Sequence, residues 1–330
     1  SIVVPCYNEE GVIAETHRRL SQVLNAQAGL EVEILYVDDG SRDKTWSILQ
    51  ALPSSANVTV RALTLSRNFG HQLAVSAGIE RAKGDAVVLI DADLQDPPEV
   101  VPEMIREWQN GWDVVYGVRT EREGDSAFKR ATAAMFYRLI NKLSEVPIPV
   151  DTGDFRLMDR KVVQALKSLP ERNRFMKGLY AWVGFNSTAI DYQPLPRADG
   201  ITRFGLRGSM SLALTGMVAF STAPLRLLTV LGLLMAVVSL GYGTWVIIDH
   251  LVWGVSVPGY ATIVTSTMFL SGVQLLAIGV LAEYVGRIYD EVKQRPAYLV
   301  MERVGSGLKL PAVAPGALDP GPMQQEASLL

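Results

Sequence analysis

The chain has 330 residues, enough for about two domains, with a net charge of −3 and a single cysteine, Cys6. A charge so nearly balanced gives no footprint for a nucleic-acid partner, and one thiol excludes an internal disulfide framework. Cys6 sits in an apolar strand pattern and reads as a buried small side chain rather than a nucleophile.

Residues 1–5 (SIVVP) read as a strand already in progress, without a signal peptide or an initiating methionine, so a few residues are expected to precede them. From there strands and helices alternate. Strands are expected at 2–4, 32–37, 58–65, 86–90 and 113–116, and helices at 10–25, 45–52, 72–82 and 99–109. Short strands rich in Val, Ile and Leu, separated by helices, predict an α/β domain with a mostly parallel sheet covered on both faces. Such sheets bind ligands at the C-terminal ends of their strands. Here those ends carry Tyr7-Asn8-Glu9, Asp38-Asp39-Gly40-Ser41, Ser66-Arg67-Asn68 and the acidic run 90–99, IDADLQDPPE. Four polar strand ends predict one cleft.

The character changes after about residue 206. Runs 227–248 and 261–282 carry no charge, and each is about the 20 residues that cross a hydrocarbon core. Arg203, Arg207 and Arg226 precede the first run, Arg287, Lys293 and Arg295 follow the second, and the connector 249–260 has no Lys or Arg. By the positive-inside rule both chain ends and the α/β domain face the cytoplasm. Residues 204–222 are read as an amphipathic helix on the membrane surface, and 305–330, rich in Pro, Gly and Ala, as a disordered tail. The expected division is a catalytic domain at 1–202, a juxtamembrane region at 203–224, two membrane helices at 225–290 and a tail at 291–330.

The acidic run divides into two parts. Asp91 and Asp93, if extended, project to one side, and paired carboxylates with the neutral oxygen of Gln95 suit a hard divalent ion, Mg2+ or Mn2+. Asp96 is expected to cap a helix whose first turn holds Pro97 and Pro98, with Glu99 complementing the dipole. At the second strand end, Asp38 and Asp39 suit a base imide or a ribose hydroxyl, although Asp-Gly is also ordinary turn chemistry and Ser41 or Asp43 suits a cap. Pro5, Tyr7 and Glu9 are expected to form the facing wall. Arg119, Arg122, Lys129, Arg130, Arg156, Arg172, Arg174, Lys177 and Arg203 add a cationic belt between the acidic cleft and the membrane, suited to an anionic second substrate.

Five ordered segments, IVVPCYNEE, YVDDGSRDKT, LSRNFGHQLAVSAGI, IDADLQDPPE and TGDFRLMDRKVV, resemble the family 2 glycosyltransferases that charge polyprenyl phosphates. LPERNRFMKGLYAWVGF and the two spans ending in AEYVGR are similar to the bacterial bactoprenol glucosyltransferases, relatives of dolichol-phosphate mannose synthase. The resemblance implies a GT-A, Rossmann-like fold, a divalent metal, and inverting transfer from a nucleotide-sugar to a lipid phosphate in the bacterial inner membrane. It implies nucleotide contacts at Pro5, Tyr7, Glu9, Asp38 and Asp91, metal contacts at Asp93 and Gln95, and acceptor-phosphate arginines at Arg119, Arg130 and Arg203. Asp154 is expected to orient donor or acceptor. UDP-glucose is the favoured donor, with GDP-mannose and UDP-N-acetylglucosamine open. A homotetramer is a further expectation from close relatives. The Gln-x-x-Arg-Trp signature of processive synthases is missing, which implies a single transfer. A transport subunit is disfavoured, because the spans hold only Gln274 and hydroxyl residues as interior polar groups.

Overall fold

The computed structural model describes residues 1–27, 29–55, 57–120, 152–171, 174, 176–195, 223–253 and 259–308. The first four strands are β1 (Ile2–Cys6), β2 (Val32–Asp38), β3 (Val58–Leu65) and β4 (Ala86–Leu89). They alternate with helices α1 (Ile13–Asn25), α2 (Thr45–Ala51) and α3 (His71–Arg81). A short 3-10 turn, Pro98–Val100, leads into α4 (Val101–Gln109) and β5 (Val114–Arg119). Then come β6 (Thr152–Asp159), α5 (Arg160–Ser168), α6 (Met176–Trp182) and β7 (Ser187–Tyr192). Two long helices, α7 (Ala223–Trp253) and α8 (Tyr260–Val292), precede a last strand, β8 (Val300–Val304).

The eight strands of the described residues join one sheet in the order β7-β5-β6-β4-β1-β2-β3-β8. β1 lies parallel to β2 and β4, β2 parallel to β3, and β5 parallel to β7. Only β6 and β8 run against their neighbours. The expected mostly parallel sheet is what forms, and both its faces are covered. Because strand side chains alternate, Ile2, Val4, Ile34 and Tyr36 pack on one face with Ile13, Leu20 and Met104 of α1 and α4. Val3, Leu35 and Val37 pack on the other with Ala74, Val75 and Ile79 of α3 and Val162 and Leu166 of α5. α3 lies so close to β1 that a Cβ on Gly78 would fall 2.2 Å from Val3 Cγ1. Only glycine fits there.

β6 determines what the cleft contains. Running against β4, with Leu89 paired to Arg156, it brings its first residues, Thr152 to Asp154, to the edge where β4 and β5 end. A motif distant in sequence thereby joins the four strand ends.

The structure defines the ends of the long helices and of the C-terminal segment, and it corrects one expectation. α7 and α8 do not stop at the edges of the uncharged runs: α7 continues through Asp249 to Trp253, and α8 through Glu283 to Val292. Charge ends an apolar run without ending a helix, and Arg287 pairs with Glu283 one turn away at 3.1 Å. Both helices are long and apolar enough to cross a membrane. Next, the C-terminal segment, expected to be disordered after about 305, holds a strand before that point. Its residues 300–304 form β8 against β3, and Gly305 and Gly307 take left-handed φ of 84° and 67°. That turn sets Leu308 N–H on Glu33, while Lys83 Nζ donates to the carbonyls of Ser306 and Leu308. Lastly, Asp96 caps nothing: the turn that starts at Pro98 has Pro97 at its N-cap position and no side-chain cap. The juxtamembrane segment up to residue 222 and the tail from 309 lie outside the described residues.

Candidate active site

The loops after β1 and β2 are stitched together. Asn8 N–H donates to Ser41 Oγ, Glu9 N–H to Thr45 Oγ1, and Arg42 N–H to Asn8 Oδ1, each at 2.8 Å. Asn8 has a φ of 54°, the left-handed conformation that asparagine tolerates. Tyr7 and Glu9 are half-buried beside this seam, whereas Pro5 lies within β1, paired with Val37 and buried. Asp43 accepts the N–H of Thr45, but the N-cap position of α2 is Lys44 and carries no side-chain cap.

Asp38 and Asp39 are both buried and both spend their oxygens on the protein. Asp38 accepts from Ser41 N–H at 3.1 Å and Thr64 Oγ1 at 2.6 Å. Asp39 accepts from Phe69 N–H at 2.7 Å and Gly70 N–H at 2.9 Å, tying the third loop to the second. A Cβ on Gly40 would lie 2.4 Å from Arg67 C, so glycine is what permits this contact. Burial raises the Asp39 carboxyl, against the two N–H groups that favour its charge.

The acidic run is not extended. β4 stops at Leu89, and residues 91–96 form a turn in which Leu94 takes a φ of 59°. Burial nevertheless alternates: Ala92, Leu94 and Asp96 point inward, and Asp91, Asp93 and Gln95 lie half-exposed between them. The three residues thus share intermediate exposure on a turn, where an extended strand was expected. Asp93 Oδ1 accepts the N–H of Gln95 at 3.1 Å. Burial pushes the Asp91 carboxyl up to about 6, with His71 opposing and Asp96, Asp154 and Asp93 reinforcing the shift.

Asp154 enters from β6. Its Oδ2 lies 3.1 Å from His71 Nε2, and that nitrogen is 3.8 Å from Asp91 Oδ1. His71 is pushed up to about 9, since the carboxylates of Asp154, Asp91 and Asp39 outweigh its burial. Asp154 is correspondingly held at about 2 despite burial, by His71 first and then Arg156 and Lys177. At neutral pH the two form an ion pair. Gln72 Nε2 also reaches Asp154 Oδ2, at 3.5 Å. Neither His71 nor Gln72 was given a role from sequence, although both stand in the segment LSRNFGHQLAVSAGI.

The arginines separate. Arg156 is not on an exposed belt: it is buried, donates through Nη2 to Gly153 O at 2.8 Å and stacks 3.7 Å over the Tyr180 ring. Strand alternation beside Asp154 forces it inward. Arg119, at the end of β5, is held by Asp96 Oδ1 at 2.9 Å and by Tyr192 Oη at 3.0 Å. Arg130 and Arg203 lie outside the described residues, as do Arg122, Lys129 and Arg172.

Asp91 and Asp93 present hard oxygen donors on one turn, and Asp96 and Asp154 add negative charge beside Asp91. Among the described residues no group of three or more His, Cys, Asp or Glu side chains forms a metal cage. The set fits an ion held by one or two carboxylates and completed by substrate phosphates, the usual mode for Mg2+.

A mostly parallel sheet with carboxylates gathered at its C-terminal strand ends, joined to two apolar helices, defines a GT-A-type glycosyltransferase attached to a hairpin. Residues 1–167 match the family described as Glycosyl transferase family 2, and residues 223–288 match the GtrB C-terminal hairpin. An uncharacterized glycosyltransferase of Synechocystis, sll0501, is 47% identical over 305 residues, covering 92% of this chain and 95% of its own. The SfII prophage-derived bactoprenol glucosyl transferase of Shigella flexneri is 48% identical over 300 residues, covering 91% and 96%. The chain belongs to glycosyl transferase family 2. A solved glucosyl-3-phosphoglycerate synthase from Mycobacterium tuberculosis, with Mn2+, UDP-glucose and phosphoglyceric acid, is 20% identical with a TM-score of 0.44. It covers 66% of this chain and 77% of its own, a likeness too distant to bear on the reaction.

Proposed function

We propose that this chain transfers one glucosyl group from UDP-glucose to undecaprenyl phosphate, with inversion, at the cytoplasmic face of the bacterial inner membrane. The observation that carries the reading is the joining of Asp91, Asp93 and Asp154 at one sheet edge, in a chain whose next elements are two membrane-length helices. The bactoprenol glucosyl transferases at 45–48% identity support the acceptor and the sugar. The arginines flanking the spans, with none in the connector, support the orientation.

In this reading an oxygen of the lipid phosphate attacks the anomeric carbon while the bond to the diphosphate breaks on the opposite face. The acceptor is a phosphate monoester, already anionic near neutral pH, so the site needs no strong base. Asp154 fits that: ionised and paired with His71, it positions substrate rather than removing a proton. Asp91 and Asp93, with Gln95, would hold Mg2+ or Mn2+, which offsets charge on the leaving diphosphate when bound. Tyr7, Glu9, Asp38 and Asp39 shape the nucleotide side of the cleft. Arg119 reaches the acceptor side already paired with Asp96, which leaves Arg130 and Arg203 the larger share of phosphate binding. Rate enhancement rests on proximity and electrostatics.

A donor screen with purified protein and undecaprenyl phosphate in vesicles tests this. Label from UDP-glucose is expected in the lipid fraction in excess over label from GDP-mannose or UDP-N-acetylglucosamine. Label that stays water-soluble with every donor overturns the reading.

A further inference from the structure

Behind the Asp91–His71–Asp154 row lies a second group of polar atoms that these contacts do not use. Asp154 Oδ1, Arg156 Nε and Tyr180 Oη are all shut off from solvent, and none has a hydrogen-bond partner among the described residues. Burying one such group unbonded is costly and uncommon, and three together are rarer still. They are neighbours. Asp154 and Arg156 are two apart on β6 and so share a face, and the Arg156 guanidinium carbon lies 3.7 Å from the centre of the Tyr180 ring. Burial and the Asp154 charge both raise the Tyr180 hydroxyl, with Arg156 opposing, as expected of groups in one pocket.

α6 carries Tyr180 and is fixed over the site at its first residue. Met176 N–H donates to Gln72 Oε1 at 3.1 Å, and Gln72 in turn reaches Asp154. The group borders the cleft through Asp154, whose side chain is 12% exposed beside His71 at 39%.

The chemistry of the three atoms is mixed. A carboxylate oxygen only accepts, a guanidinium N–H only donates, and a phenol does both. A phosphate, which only accepts and is repelled by Asp154, does not match that set, and a polyprenyl chain offers nothing to it. Adjacent hydroxyls of a sugar, each both donor and acceptor, do match. We propose that Tyr180, together with Asp154 Oδ1 and Arg156 Nε, reads hydroxyls of the sugar being transferred, making Tyr180 a specificity-determining residue. This rests on the reaction proposed above.

The test compares wild type with Tyr180→Phe, which removes the hydroxyl but keeps the ring under Arg156. Each is assayed with UDP-glucose and with monodeoxy analogues lacking each sugar hydroxyl in turn, against undecaprenyl phosphate in vesicles. Wild type is expected to lose about tenfold in kcat/KM with at least one analogue. In Tyr180→Phe that same analogue is expected to lose less than about twofold relative to UDP-glucose, because the partner is already gone. Because an unbonded buried hydroxyl is removed, the thermal midpoint of Tyr180→Phe is expected to be unchanged or raised. An identical penalty pattern in both proteins overturns the assignment, as does a wild type indifferent to every analogue. If wild type transfers nothing to the lipid, the proposed reaction fails and takes this inference with it; activity with an unshifted pattern sinks the inference alone.

Discussion

Arg119 Nη2 lies 2.9 Å from Asp96 Oδ1, and Tyr192 Oη hydrogen-bonds both partners. Asp96 is buried, so its charge depends on that guanidinium. The pair ties the acidic turn after β4 to the end of β5, and the tyrosine ties both to β7. Asp96→Asn is therefore expected to cost about 3–5 kcal/mol, as for breaking a buried pair, rather than the ~1 kcal/mol of a lost cap. Denaturation in detergent measures this. Adding Tyr192→Phe is expected to cost less in the Asp96→Asn background than in wild type, because the two side chains share one network.

Asp93→Ala is expected to reduce transfer on the order of a hundredfold or more, with the fold intact, since this residue is half-exposed on a turn and lies outside the buried core. Chelation of divalent ions is expected to do the same to wild type, reversed by Mg2+ or Mn2+. Turnover of Asp93→Ala that is undiminished at saturating metal would remove its role.

Glu33 supplies the pH dependence. It is buried in β2, which alone would raise its pKa, but Ser1 Oγ, Lys83 N–H and Arg61 Nη1 donate to it and hold it below 4.5. A carboxyl lowered on folding contributes stability above its unfolded value and loses it as pH falls through the folded one. Wild type is thus expected to lose stability below about pH 4.5, and Glu33→Gln is expected to be less stable at pH 7 but to show a flatter acid limb. Parallel curves for the two proteins would contradict the buried charge cluster.

Gly305→Ala tests the docking of β8 and the turn after it. The backbone there has a φ of 84°, and an added Cβ would stand 2.3 Å from Val60 O. Strain and clash together are expected to cost more than about 1 kcal/mol. A neutral substitution would mean that residues 305–308 do not lie against β3.

The sequence revealed the parts of this fold whose signal is local. Runs such as VEILYV become β2 because β-branched and apolar side chains fill both faces of a covered sheet, and the polar strand ends do contact one another at one edge of the sheet. What it concealed depends on partners far along the chain. Asp96-Pro97-Pro98-Glu99 carries every local mark of a helix start, and its true partners lie 23 and 96 residues away. β8 is five residues beyond two apolar helices, and nothing in VMERV says that it completes the sheet at β3. Arg156 reads as a surface cation because charge is the visible property, whereas its burial follows from the β6 register. His71 lies in the run LSRNFGHQLAVSAGI, but its chemistry appears only when β6 brings Asp154 across from another part of the chain.

The central claim is tested most directly by isolating the lipid product made from UDP-glucose and undecaprenyl phosphate and determining its linkage by mass spectrometry and NMR. The account predicts one glucose per lipid, joined through phosphate, with the anomeric configuration opposite to that of the donor. A retained configuration, a sugar chain longer than one residue, or glucose recovered only as a water-soluble product would contradict it.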